Sequence, residues 1–209
     1  MQRGATFLDL NSASPGTKKQ AAIAIEEAGG HYVEAGVMTS VPPYGIAVPM
    51  LLGGKQALRL ADRLRPLGFN LTPVSPKIGL ASATKMSRSI MIKGLEALVI
   101  ESFTTARRYG VEAAMLDTLR ETFPGIDWEK QGAYFFSRVV QHGKRRAEEM
   151  REAANTVREA GLAPTMTAPI ADKHDWIATL AREGVFDGVG KDAPWQDYAD
   201  RLLKLKPAS

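Results

Sequence analysis

Gly79-Leu80-Ala81-Ser82-Ala83-Thr84-Lys85-Met86-Ser87-Arg88-Ser89 is where the chain changes character. Upstream of it, short apolar runs alternate with segments of helical period. The pattern predicts strands over 5–11, 31–37, 47–52 and 70–74, with helices over 15–28 and 55–64. Ser14 followed by Pro15 is an N-cap with proline at the first helical position, and Gly29-Gly30 and Gly68 supply stops. Downstream, a long helix over 81–109 leads to helices over 111–122, 128–140, 145–160, 168–182 and 195–205. The reading is an α/β part over 1–78 and an all-helical part over 79–209, divided near Ser75 to Gly79 and joined by one long helix.

Residues four apart share a helix face, so Lys85, Ser89 and Lys93 line one side of that helix. Ile90, Met91, Leu95, Leu98 and Val99 are expected to supply buried surface around them. Burial and the positive end of the helix dipole both disfavour an ammonium, which would make Lys85 a useful acid or base. A lysine on an apolar helix also reaches solvent by snorkelling, and spacing alone leaves both readings open.

The composition narrows the function classes. With 209 residues, 44% hydrophobic, the chain is long enough to bury a real core. Cysteine is absent, which excludes disulfides, thiolate metal sites and a cysteine nucleophile, and suits a reducing cytoplasm. No basic region with an apolar run marks a secretory leader, and no stretch approaches ~20 apolar residues. A cytoplasmic protein without membrane association is expected. The net charge of +4 and pI of 9.3 invite a nucleic-acid reading. However, Lys144-Arg145-Arg146 is answered by Glu148, Glu149 and Glu152, which at helical spacing predicts ion pairing on a solvated helix. A nucleic-acid partner is therefore not expected, and the charge suits steering of anionic ligands. His31 and His174 lie far apart, no metal-ligand spacing is present and no Gly-x-Ser-x-Gly turn suggests a hydrolase. His142-Gly143-Lys144 reads as a helix break with solvated charges. Trp128, Tyr134 and Phe135 read as core aromatics.

Four blocks of sequence, in order, resemble the β-hydroxyacid dehydrogenases, the group of 3-hydroxyisobutyrate and 6-phosphogluconate dehydrogenases. Leu8 to Thr17 is similar to the strand, turn and proline-started helix beside the nicotinamide, with Ser12 at the hydroxyl-bearing position. Tyr32 to Val41 resembles the Asp-Ala-Pro-Val-Ser-Gly-Gly substrate loop, with Met38 at the serine and Thr39 and Ser40 at the glycines. Val48 to Gly54 resembles the strand that follows. Gly79, Lys85 and Ser89 match the glycine and the Lys-x-x-x-Asn pair of the catalytic helix, with serine in place of asparagine. His142 falls where the family has a second Lys-Asp pair touching substrate. The wording is closest to the NAD-binding phosphogluconate-dehydrogenase-like branch, whose helical C-terminal domain has no assigned function.

The resemblance implies NAD or NADP as cofactor, with Ser12 and Gly79 on the cofactor side. It implies a small anionic hydroxy acid held by Met38, Thr39, Ser40, Ser89 and His142, with Lys85 moving the hydroxyl proton. It also implies a homodimer through the helical part. No Gly-x-Gly-x-x-Gly fingerprint occurs in the chain. The expectation is therefore a family member lacking roughly its first eighty residues, about a βαβαβ half. The alternative is a non-catalytic dimerising or ligand-binding protein derived from such an enzyme.

Overall fold

The computed structural model describes residues 2–205. Four strands, β1 (Thr6–Asp9), β2 (His31–Val37), β3 (Met50–Gly53) and β4 (Leu71–Ser75), form one sheet in that order. β1 pairs parallel to β2 with Leu8 opposite Val33, β2 antiparallel to β3 with Ala35 opposite Leu52, and β3 parallel to β4. Helices α1 (Pro15–Glu27) and α2 (Ala57–Leu64) are the connections of the two parallel pairs. Helices α3 (Leu80–Tyr109), α4 (Glu112–Thr122), α5 (Trp128–Glu159), α6 (Thr167–Arg182) and α7 (Trp195–Leu203) follow. The fold is thus a small mixed α/β sheet followed by helices, entered through the long α3.

The chain forms two compact units, Met1–Ile90 with Glu149–Thr165, and Met91–Glu148 with Met166–Ser209. The core of the first is Val33, Ala35, Val48, Met50, Leu52, Ala57, Ala61 and Leu71. Ser14 caps α1, its Oγ accepting from the Thr17 N–H at 3.3 Å, ahead of Pro15. The core of the second is built on aromatic side chains: Phe103 packs edge-on against Trp195, and Phe136 stacks on both Trp195 and Tyr198. Trp195 Nε1 donates to Glu129 at 2.6 Å and Tyr198 Oη to the Gly190 carbonyl at 2.7 Å, so both polar tips are satisfied.

Three sequence expectations are corrected here. First, the break expected at His142-Gly143-Lys144 does not occur, because α5 runs through it. A Cβ on Gly143 would lie 2.7 Å from the carbonyl oxygen of His174, so this glycine serves the close crossing of α5 and α6. Second, the apolar face expected on α3 is buried only in part in the second unit, where Val99 is buried as expected but three of its neighbours are not. Lys93 and Glu96 are buried, whereas Met91, Leu95 and Leu98 are exposed, at 65%, 36% and 55%. The inward turn follows from Glu96, which receives a bidentate pair of hydrogen bonds from the buried Arg146 guanidinium of α5. Third, Trp128 and Phe135 are buried but Tyr134 is exposed.

Candidate active site

The site assembles in the first unit from the end of β1, the loop after β2, the start of α3 and the last third of α5. At the end of β1, Asp9 accepts from the backbone N–H and side-chain amide of Asn11, at 2.9 and 2.8 Å, which fixes the turn into Ser12. Its other oxygen accepts from Tyr32 Oη at 2.5 Å and pairs with the buried Lys18 ammonium at 2.9 Å. Burial works against the Asp9 carboxylate, yet the hydrogen bonds from Tyr32, Asn11 and Lys18 hold its pKa below the ordinary value. Burial lowers the Lys18 pKa, with Asp9 and then Glu34 pulling the other way, and burial together with Asp9 raises that of the Tyr32 phenol.

Lys85 lies on α3 with 9% exposure, and its Nζ donates to Ser12 Oγ. This joins two residues 73 positions apart, one singled out for chemistry and one for cofactor contact. The start of α3 is set by Glu34, which lies in mid-strand on β2 and is wholly buried. Glu34 accepts from the N–H groups of Gly79 at 2.6 Å, Ala81 at 3.2 Å and Ser82 at 3.3 Å. Three of the N-terminal donors that a helix leaves unpaired are thereby satisfied by one carboxylate. Gly79 has φ +107°, a conformation that favours glycine, and faces Pro15 and Lys19 rather than open space. Gly36, two residues before Met38, passes so close to α3 that a Cβ there would stand 3.3 Å from Lys85 Cβ.

The remaining expected residues divide. Met38 and Ser40 are half-buried and Thr39 is exposed, and the Met38 N–H is committed to the Pro49 carbonyl at 2.9 Å. Ser89 is buried and donates its hydroxyl to Glu149 Oε1 at 2.6 Å. His142 lies in the second unit, half-buried, its pKa lowered by burial and by Arg138, Arg145 and Arg146.

Sequence reasoning missed Asp9, Glu34 and three glutamates of α5. Glu149, expected to pair with basic neighbours on a solvated face, accepts from Ser89. Glu152 accepts from the Ser14 N–H at 2.7 Å, and Glu159 from Ser14 Oγ and the Gly16 N–H, both at 2.7 Å. The first turn of α1 is therefore held by carboxylates of the chain itself. The one readable signal was Glu34, an acid inside an otherwise apolar strand. Among the described residues, no three His, Cys, Asp or Glu side chains converge as a metal site, and no helix is long and apolar enough to cross a membrane.

Residues 106–177 match the family model described as a domain of unknown function, DUF1932. The conserved protein MTH1747, of unknown function, whose structure is reported to be similar to 3-hydroxyacid dehydrogenases, is 31% identical with a TM-score of 0.70, covering 85% of this chain and 67% of that one. The chain belongs to the β-hydroxyacid dehydrogenase superfamily. Within the superfamily it is also similar to a conserved hypothetical protein from Sinorhizobium meliloti, at 42% identity and TM-score 0.81 over 95% of this chain and 65% of that one. An uncharacterized 28.5 kDa protein of Methanothermus fervidus, from the 7S RNA 5' region, is 30% identical over 163 residues, 77% of this chain and 61% of that protein. This superfamily member thus spans about two thirds of the length of these relatives. The same fold occurs in Psf3, solved with NADP+ and 2-OPP, at 16% identity and TM-score 0.55.

Proposed function

We propose that this β-hydroxyacid dehydrogenase relative acts in NAD(P)-dependent oxidation or reduction of a small hydroxy acid. The observation that carries the reading is the buried Lys85 side chain, whose Nζ donates to the Ser12 hydroxyl just beyond β1. In that position the neutral Lys85 amine takes the proton of a substrate hydroxyl as the carbon is oxidised, and in the reverse direction the Lys85 ammonium returns it to the carbonyl oxygen. Ser89, one turn further along α3, lies on the same face and positions the substrate, while Glu149 fixes the Ser89 hydroxyl. The loop of Met38, Thr39 and Ser40 holds the carboxylate, and the +4 net charge draws anions in.

NAD(P), as electron carrier, accepts or supplies the hydride. The residues here fit its nicotinamide end: the half-buried Ser12 hydroxyl is a hydrogen-bonding group, and Gly79 keeps the neighbouring turn slim. The first turn of α1 does not fit a pyrophosphate, because Glu152 and Glu159 already occupy its donors. That same observation favours a second reading, a dimerising or ligand-binding protein without turnover. The exposed Met91, Leu95 and Leu98 stripe of α3 supports a second copy as partner in either reading.

Titration of the chain with NADH, followed by cofactor fluorescence, separates the two. Saturable binding that strengthens with a hydroxy acid and weakens in Ser12→Ala supports the enzyme. No saturable signal supports the second reading.

A further inference from the structure

We propose that the cleft between α2 and the amino ends of β1 and β2 binds one tetrahedral dianion, either inorganic phosphate or the terminal phosphate of a small monoester. The inference is independent of the hydroxy-acid reading, because Asp9 and Ser12 lie at the opposite, carboxyl end of β1. Thr6 and His31 open β1 and β2 and stand opposite each other in the parallel register. Across from them, the N-cap Gln56 and the α2 residues Arg59 and Arg63 recur at helical spacing. These five side chains line the cleft, and Leu60 joins it to the core of the first unit. Each of the five has a donor to offer, and no carboxylate lines the cleft.

The chain does not answer the charge of this cleft. Arg59 and Arg63 are exposed and four residues apart, a like-charge spacing that works against a helix unless an anion intervenes. Asp62 is the only acid of α2, and it is committed to Arg65 at 2.8 Å. Among the described residues, neither Arg59 nor Arg63 has an ion-pair or hydrogen-bond partner. Arg107 and Arg146, by contrast, are each held by carboxylates of the chain. Size and charge then select the ligand. The cleft has a volume of about 80 Å³, against roughly 300–1,000 Å³ for sites that enclose a drug-sized molecule. It therefore takes one anionic group rather than a whole nucleotide. Two guanidiniums match a phosphate monoester, which carries close to two charges at neutral pH, better than a phosphodiester or a carboxylate with one.

Calorimetric titration of the intact 209-residue chain with inorganic phosphate and with glycerol 3-phosphate tests the site, and amide NMR shifts locate it. The titrations are run at about pH 7.5, above the second phosphate pKa of about 6, and in about 0.1 M sodium chloride, where charges more than about 10 Å apart are screened. We expect saturation at one site, with shifts centred on Thr6, His31 and α2. Arg59→Gln and Arg63→Gln together should weaken binding by at least about tenfold, whereas Arg65→Gln, a neighbouring arginine already paired with Asp62, should leave it within about twofold. Both cleft arginines are exposed, and circular dichroism checks that the variants fold. Glycerol 3-phosphate binding as tightly as phosphate assigns the site to a monoester, and binding of phosphate alone assigns it to the inorganic ion. Absence of saturable binding, binding that survives the double variant, or dimethyl phosphate binding as well as phosphate overturns the inference. Tighter binding of duplex DNA that falls with salt and is lost in the double variant also overturns it, and gives this face to nucleic acid. None of these outcomes bears on the hydroxy-acid reading.

Discussion

Glu34 in the middle of β2 accepts a 2.6 Å hydrogen bond from the Gly79 N–H, 45 residues later, and so ties the sheet to the first turn of α3. The same carboxylate takes the N–H groups of Ala81 and Ser82, three residues before Lys85. Glu34→Ala would leave these donors buried without partners, at about 1–3 kcal/mol for each that finds none. We expect the first unit to lose about 3 kcal/mol in urea unfolding followed by a label in the sheet, with Glu34→Gln losing less. Equal stability in Glu34→Ala would show that the cap is dispensable.

The architecture was legible because the period of the apolar positions changes once, at Gly79, and because Ser14-Pro15 and Gly68 punctuate the elements by their own backbone chemistry. The α5 glutamates were not legible. Local spacing offers Lys144 and Arg145 as their partners, whereas Glu149 bonds to a residue 60 positions away and Glu152 to one 138 away. Gly143 misled for a related reason: a helix-stopping glycine and one that admits a neighbouring helix are the same letter. The inward Glu96 depends on Arg146, a partner that amphipathic reasoning along one helix cannot see.

Gly143 and Gly94 both lie within helices of the second unit, but a methyl group would meet different things. At Gly143 it meets the His174 carbonyl oxygen at 2.7 Å, which only a backbone shift relieves. At Gly94 it meets the Ile170 Cδ1 at 3.3 Å, the end of a flexible side chain. Gly143→Ala should cost about 1–3 kcal/mol by overpacking, and Gly94→Ala should be neutral or stabilising by up to about 1 kcal/mol through helix propensity. Thermal melts of the two variants check the order, and a stabilised Gly143→Ala would contradict the crossing.

His174 is wholly buried in the second unit, with Glu96 Oε2 3.5 Å from Nε2 and Arg146 and Lys93 as the other charged neighbours. Burial, then Arg146 and Lys93, pushes its pKa from 6.5 down to about 3. The folded state therefore binds the proton less readily than the unfolded state. The stabilisation is complete above pH 6.5 and is lost as pH falls from 6.5 toward about 3, at about 1.4 kcal/mol per unit once below 6.5. Unfolding by urea at pH 7.5 and 5.5 should show the loss, and His174→Gln should remove most of it. An identical pH dependence in the variant would assign the effect to other groups.

The central claim is that Lys85 moves the proton. With the protein supplied with NAD+ or NADP+ and a panel of 3-hydroxy acids, the most direct measurement is the rate of NAD(P)H formation in the unaltered chain and in Lys85→Met. General acid and base assistance of this kind is worth roughly 10²- to 10⁴-fold. The account predicts turnover in the unaltered protein and a loss within that range in Lys85→Met, with the fold retained by circular dichroism. Equal turnover in the two proteins would contradict it.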